Sequence, residues 1–114
     1  MQKDDLIRLK HMLDAAKEAR SFASGKKRSD LDNNRQLTLA LVKDIEIIGE
    51  ASSKVSQETR TKYPAIPWLD IINMRNRLIH AYFDIDLVIV WDTVTKDLPP
   101  LVTELEKIVR FEEK

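Results

Sequence analysis

The chain has no cysteine and only two glycines in 114 residues. Without cysteine there are no disulfides and no thiolate metal sites, which agrees with a reducing compartment. Gly25 and Gly49 stand alone, so no glycine-rich phosphate loop is present, and no serine or cysteine stands in a nucleophile arrangement. No apolar run approaches the roughly 18 residues of a membrane-spanning helix, and the opening M-Q-K-D-D-L lacks the apolar region of a signal peptide. A soluble, unexported, cytoplasmic protein is therefore expected. Net charge is missing too: 19 basic and 19 acidic side chains cancel, which removes any global pull on nucleic acid and leaves such attraction to a local basic cluster.

What the chain does have is leucine, isoleucine, lysine and glutamate in quantity, a composition for helices. The expected fold is all-α, a four-to-five helix bundle forming one domain over residues 1–114. A first helix from about Asp4 to Ala23 has Asp4 and Asp5 at the positive end of its dipole. Its inward stripe is Leu6, Leu9, Leu13 and Ala16, widened by Met12, Ala15, Ala19 and Phe22. His11 falls outside that stripe and reads as a solvated surface residue. Lys26-Lys27-Arg28 follows as a basic turn, either complementing the helix dipole or touching RNA phosphates. A second helix starts between Ser29 and Asn34 and continues to about Ser56, with Leu37, Leu41, Ile45, Ile48 and Val55 inward. Gly49 inside it costs about 1 kcal/mol relative to alanine, which implies close approach of another backbone. Residues 57–67 read as an irregular connection with one short helical turn, broken by Pro64 and Pro67. A last helix from Leu87, capped by Asp84 or Asp86, carries its stripe across Pro99-Pro100 and so must kink near Leu98 or divide there.

The segment W-L-D-I-I-N-M-R-N-R-L-I-H-A-Y, Trp68 to Tyr82, organises the rest. Pro67 precedes it where a helix can begin, and Trp68, Ile71, Ile72, Leu78, Ile79 and Tyr82 recur at helical spacing. The gap in that stripe is filled by Arg75. A charge in line with core residues needs a partner or a functional role; alternatively its stem lies along the core while its head reaches water or one carboxylate. Glu46 and Glu50 flank Gly49, within reach if the glycine contacts this helix. Asn73, Asn76, Arg77 and His80 form a polar strip alongside. On an ideal helix His80 is about 140° from Arg75, so either the helix distorts there or a second copy of the chain completes the pair.

Arg75, Asn76, His80 and Tyr82, an Arg, a polar residue, three more, His, any residue and Tyr, resemble the signature of HEPN-superfamily ribonucleases, specifically the HepT-like toxins. The similarity extends to I-I-G-E-A at 47–51, Y-P-A-I-P-W at 63–68, the Y-F-D-I-D that follows the motif and V-W-D-T-V-T-K-D-L-P-P-L in the last helix. Ala81 departs from the glycine that many relatives carry between His and Tyr, a small-for-small change. The resemblance implies a HEPN-like bundle with a site at a dimer interface. It also implies a partner minimal nucleotidyltransferase, the antitoxin, that uses ATP to transfer AMP onto Tyr82.

The chemistry fits those residue types. RNA carries its own nucleophile, the 2′-hydroxyl, so a ribonuclease needs a proton acceptor, a proton donor and positive charge, and no cofactor or metal. His80 can serve in either proton role near neutral pH, and Arg75 can stabilise charge on the non-bridging oxygens. A two-fold homodimer brings the second histidine. Asn76 would orient His80 or a phosphate, Arg77 would add a phosphate contact or simply be solvated, and Glu46 or Glu50 would pair with Arg75. An unbroken helix would also set Arg75 and Tyr82 about 20° apart, so that AMP on Tyr82 could reach back over Arg75. Two other classes remain: a noncatalytic nucleotide- or substrate-binding subunit of a nucleotidyltransferase complex, and a plain helical dimerisation module.

Overall fold

The apolar periodicity of the first 23 residues forms one long helix, α1, Lys3–Ala23. The computed structural model describes residues 1–81 and 84–114, with His80 and Ala81 described by their backbone alone. Leu9, Met12, Leu13, Ala15, Ala16 and Ala19 of α1 are buried, whereas Phe22, expected on the same face, is exposed. Asp5 is buried as well and accepts hydrogen bonds from the backbone N–H of Ser56 at 3.0 Å, from the Ser56 hydroxyl, and from the Thr59 hydroxyl at 2.7 Å. Burial pushes its pKa up, but the hydrogen bonds from Ser56 and Thr59 outweigh burial and hold the carboxyl below its ordinary range.

A 3₁₀ turn, Arg28–Asp32, leads to α2, Arg35–Ser53, whose first turn is capped by the Asn34 side chain accepting from Leu37 N–H at 3.0 Å. The helix ends at Ser53, three residues earlier than its stripe suggested, because Ser56 is used elsewhere. Its hydroxyl caps α3, Gln57–Lys62, by accepting from Thr59 N–H, and also donates to Asp5. Next come α4, Trp68–Leu78, a two-stranded antiparallel ribbon of β1, Ile79–Ala81, and β2, Asp84–Ile85, and then α5, Leu87–Asp92. Asp86 caps α5, accepting from Ile89 N–H at 3.1 Å. The expected interruption near Leu98 takes the form of a π-helical turn, Thr93–Asp97, running into α6, Leu98–Glu112. Pro99 and Pro100 thus sit in the first turn of α6, where a missing N–H costs nothing.

The helices pack α1 against α2 and α6, and α2 against α4. The all-α bundle expected from composition is what forms, with the short ribbon as its one extended feature among the described residues. Leu9, Met12, Leu41, Ile45, Ile48, Ile66, Leu78, Leu98 and Leu105 are its largest fully buried side chains. At one end Glu112, with a side chain only 6% exposed, gathers the N-terminal ammonium at 3.5 Å, Lys62 at 2.9 Å and the Tyr63 hydroxyl. The Tyr63 and Lys62 hydrogen bonds keep Glu112 below its usual pKa, fastening α6 to the connection that aims α4.

Two features of α2 carry testable consequences. A Cβ on Gly49 would lie 3.2 Å from the carbonyl oxygen of Ile71 and 3.7 Å from that of Ile72, so the glycine admits the backbone of α4. We expect Gly49→Val to destabilise the protein by about 1–3 kcal/mol, measured by urea unfolding; an unchanged or raised midpoint would contradict the contact. Asp44 is only 2% exposed, and among the described residues its Oδ2 has no hydrogen-bond partner unless it or Glu18 carries a proton. Burial first, then the neighbouring Glu18 carboxyl, raise its pKa from 3.8 to about 7. The folded state therefore holds a proton that the unfolded chain releases, and stability falls as pH rises from about 4 to about 7. Asp44→Asn should flatten that dependence and raise the unfolding midpoint at pH 8. A parallel pH profile would count against the buried acid.

Candidate functional site

Trp68 anchors the start of α4 by donating its indole N–H to the carbonyls of Arg60 at 3.2 Å and Tyr63 at 3.0 Å. The buried face of α4 is Trp68, Ile71, Met74 and Leu78. Met74 therefore takes the inward place that the apolar stripe left to Arg75. Arg75 stands on the flank, its side chain 56% exposed, with Nε 3.4 Å from Oε1 of Glu46. This is the arrangement in which the head reaches one carboxylate. Glu50, the other candidate, lies 3.2 Å from the Lys54 ammonium instead.

The helix does not continue to Tyr82. Ile79 has φ −117° and ψ 105°, an extended conformation, and its N–H gives the last helical hydrogen bond to the Arg75 carbonyl. From there Ile79 pairs with Ile85 and Ala81 with Asp84, while the Asp86 N–H donates to the Leu78 carbonyl at 2.7 Å. β-Branched Ile79 and Ile85 are half-buried against the core, and packing them in a ribbon overrides the helical periodicity of the sequence. His80 consequently rides on β1, and the 140° separation of a continuous helix does not apply. The alignment of Arg75 with Tyr82 on one helix loses its premise; Tyr82 itself, like Phe83, lies outside the described residues.

The other candidates separate. Asn73 and Asn76 are exposed on α4, in line with Leu69, which is 71% exposed. Arg77 turns to a different side, donating to the Asp70 carbonyl at 3.3 Å and lining a cleft of about 400 Å³ against Lys96, Asp97 and the start of α6. In the basic turn, Arg28 is paired with Asp32 at 2.8 Å and the Lys27 N–H with the Asp30 carboxylate, so much of that segment is used in capping itself.

Arg75, Glu46 and Glu50 do come together, and they bring company. They line a groove of about 360 Å³ with Arg8 and His11 of α1 and Lys43 and Ile47 of α2. Periodicity correctly placed His11 on the surface but missed this grouping. The signals were Arg8 and His11 three residues apart and Lys43 three residues before Glu46, both single-face spacings; that the two faces meet is decided only by α1 packing on α2. Among the described residues no cluster of three or more His, Asp or Glu is placed to hold a metal ion.

Residues 12–108 match the family model described as Ribonuclease HepT-like. The chain belongs to the HepT-like ribonuclease family. Relatives sharing this HepT-like region include a "Putative RNase" of Caldanaerobacter subterraneus subsp. tengcongensis, 35% identical over 91% of this chain and 93% of that protein. A "Probable ribonuclease HepT" of Thermococcus cleftensis is 39% identical over 66% of this chain and 68% of its own length. A longer protein of Methanocaldococcus jannaschii, named "Gamma-glutamylcyclotransferase and putative RNase", is 38% identical over 96% of this chain, which spans 49% of it. No solved structure matches the chain. No helix among the described residues is long and apolar enough to cross a membrane.

Proposed function

We propose that this chain is a metal-independent endoribonuclease acting as a two-fold homodimer. In this reading it is the toxin of a toxin–antitoxin pair, silenced when a partner minimal nucleotidyltransferase transfers AMP to Tyr82. What supports the reading is membership of the HepT-like family over residues 12–108, together with Arg75 held exposed on Glu46 three residues before α4 gives way to the strand bearing His80.

His80 takes the proton of the RNA 2′-hydroxyl, whose oxygen attacks the adjacent phosphorus. Arg75 stabilises the charge gathering on the non-bridging oxygens, and the 5′-oxygen leaves with a proton from the partner's His80. Leu69, exposed in line with Asn73 and Asn76, supplies an apolar anchor for the two-fold contact on that side of α4. AMP on Tyr82 adds negative phosphate near the arginine and competes with RNA for it.

Expression of the chain without its partner should arrest growth of the host, and His80→Ala should relieve the arrest. Incubation with ATP and the cognate nucleotidyltransferase should add AMP mass and abolish cleavage, whereas Tyr82→Phe should cleave RNA and gain no mass. Normal growth with soluble, folded wild-type chain and no RNA cleaved would favour a noncatalytic subunit that binds nucleotide for the transferase.

A further inference from the structure

The motif accounts for Arg75 but leaves the groove around it unexplained. Three cations line that groove, Arg8, Lys43 and Arg75, against two carboxylates, Glu46 and Glu50, the second of which is also reached by Lys54 from outside the lining. Both carboxylates are engaged, Glu46 by Arg75 and Glu50 by Lys54, and Arg8 and Lys43 have no ion pair among the described residues. In a chain with no net charge, an uncompensated cluster of this kind is a local attractor for anions.

We infer that the groove between α1, α2 and α4 is a second phosphate-binding subsite, holding the RNA strand at a phosphate neighbouring the one cleaved, through Arg8, Lys43 and His11. This rests on the ribonuclease reading above. Arg75 borders both places, and that ties the groove to RNA and not to an unrelated acidic partner. Glu46 contacts Arg75 at Nε, and the guanidinium, on a side chain 56% exposed, makes no hydrogen bond among the described residues, so its terminal amino groups can meet a phosphate end-on. Arg8 supplies charge from α1 and Lys43 from α2. His11, exposed on α1 one turn from Arg8, can donate a ring N–H to a phosphate oxygen. Ile47 and Ala51 give the floor apolar surface against which a ribose can lie. Glu46 thereby orients the shared arginine while leaving its phosphate-facing edge open.

The test uses the full-length chain carrying His80→Ala, titrated with a fluorescent single-stranded RNA between 50 and 200 mM salt. Adding Arg8→Gln and Lys43→Gln should weaken binding at least tenfold. Each lost contact should also reduce the slope of log affinity against log salt by about 0.7. Lys107→Gln, a charge removed from α6, should change neither. Arg8→Lys should retain most of the affinity that Arg8→Gln loses. In the chain with His80 intact, the double substitution should raise KM and leave kcat unchanged. Unaltered affinity and slope in the double variant would overturn the subsite and leave the ribonuclease reading standing. So would an equal loss from Lys107→Gln, or a fall in kcat at constant KM. No RNA binding by the His80→Ala parent, with no cleavage by the wild type, would end both.

Discussion

The close approach of α2 and α4 at Gly49 is the constraint on which the rest of the site depends. With a Cβ position only 3.2 Å from the Ile71 carbonyl, the two backbones lie nearer than any larger residue would permit without displacing one of them. Arg75 stands one turn beyond Ile71, and Glu46 lies one turn before Gly49 on the facing helix. The ion pair between them, at 3.4 Å, is therefore a consequence of backbone spacing more than of side-chain reach. An exposed pair of this kind contributes little to stability. Its value lies in direction: it sets a guanidinium at the edge of a groove instead of letting it sweep through solvent.

A second constraint ends α4 where it does. The helix stops at Leu78 because Ile79 and Ile85 pack together on the core and the Asp86 N–H takes the Leu78 carbonyl. A helix carried on to Tyr82 would have pointed His80 some 140° from Arg75. The ribbon begins at Ile79, four residues after the arginine, so that the two motif residues belong to different kinds of structure. Asp86 both closes this turn and caps α5, so one residue sets the exit of the motif and the entry of the last helical run.

The sequence made much of this legible. Helical periodicity placed α1, α2, α4 and the last helical run, and the isolated Gly49 pointed to the contact with α4 and to Glu46 or Glu50 as a partner for Arg75; only the structure chooses Glu46. Three things were hidden, each for a physical reason. The end of α4 was masked because Ile79 fits a helical stripe as well as a strand, and only its pairing with Ile85 decides. The end of α2 was masked because Ser56 answers to Asp5, 51 residues away, which no local pattern reports. Arg8, His11 and Lys43 were dispersed among solvated positions, and their meeting with Arg75 depends on how α1 packs across α2.

His80 and Arg75, in the proposed mechanism, drive attack by the RNA's own 2′-hydroxyl. That chemistry leaves a signature in its products, whichever RNA is cleaved. Purified chain, incubated with an end-labelled RNA that it cleaves and with EDTA present, should leave 2′,3′-cyclic phosphate and 5′-hydroxyl ends, and His80→Ala should leave the RNA whole. Products bearing 3′-hydroxyl and 5′-phosphate ends, or cleavage that stops when EDTA is added, would contradict that mechanism.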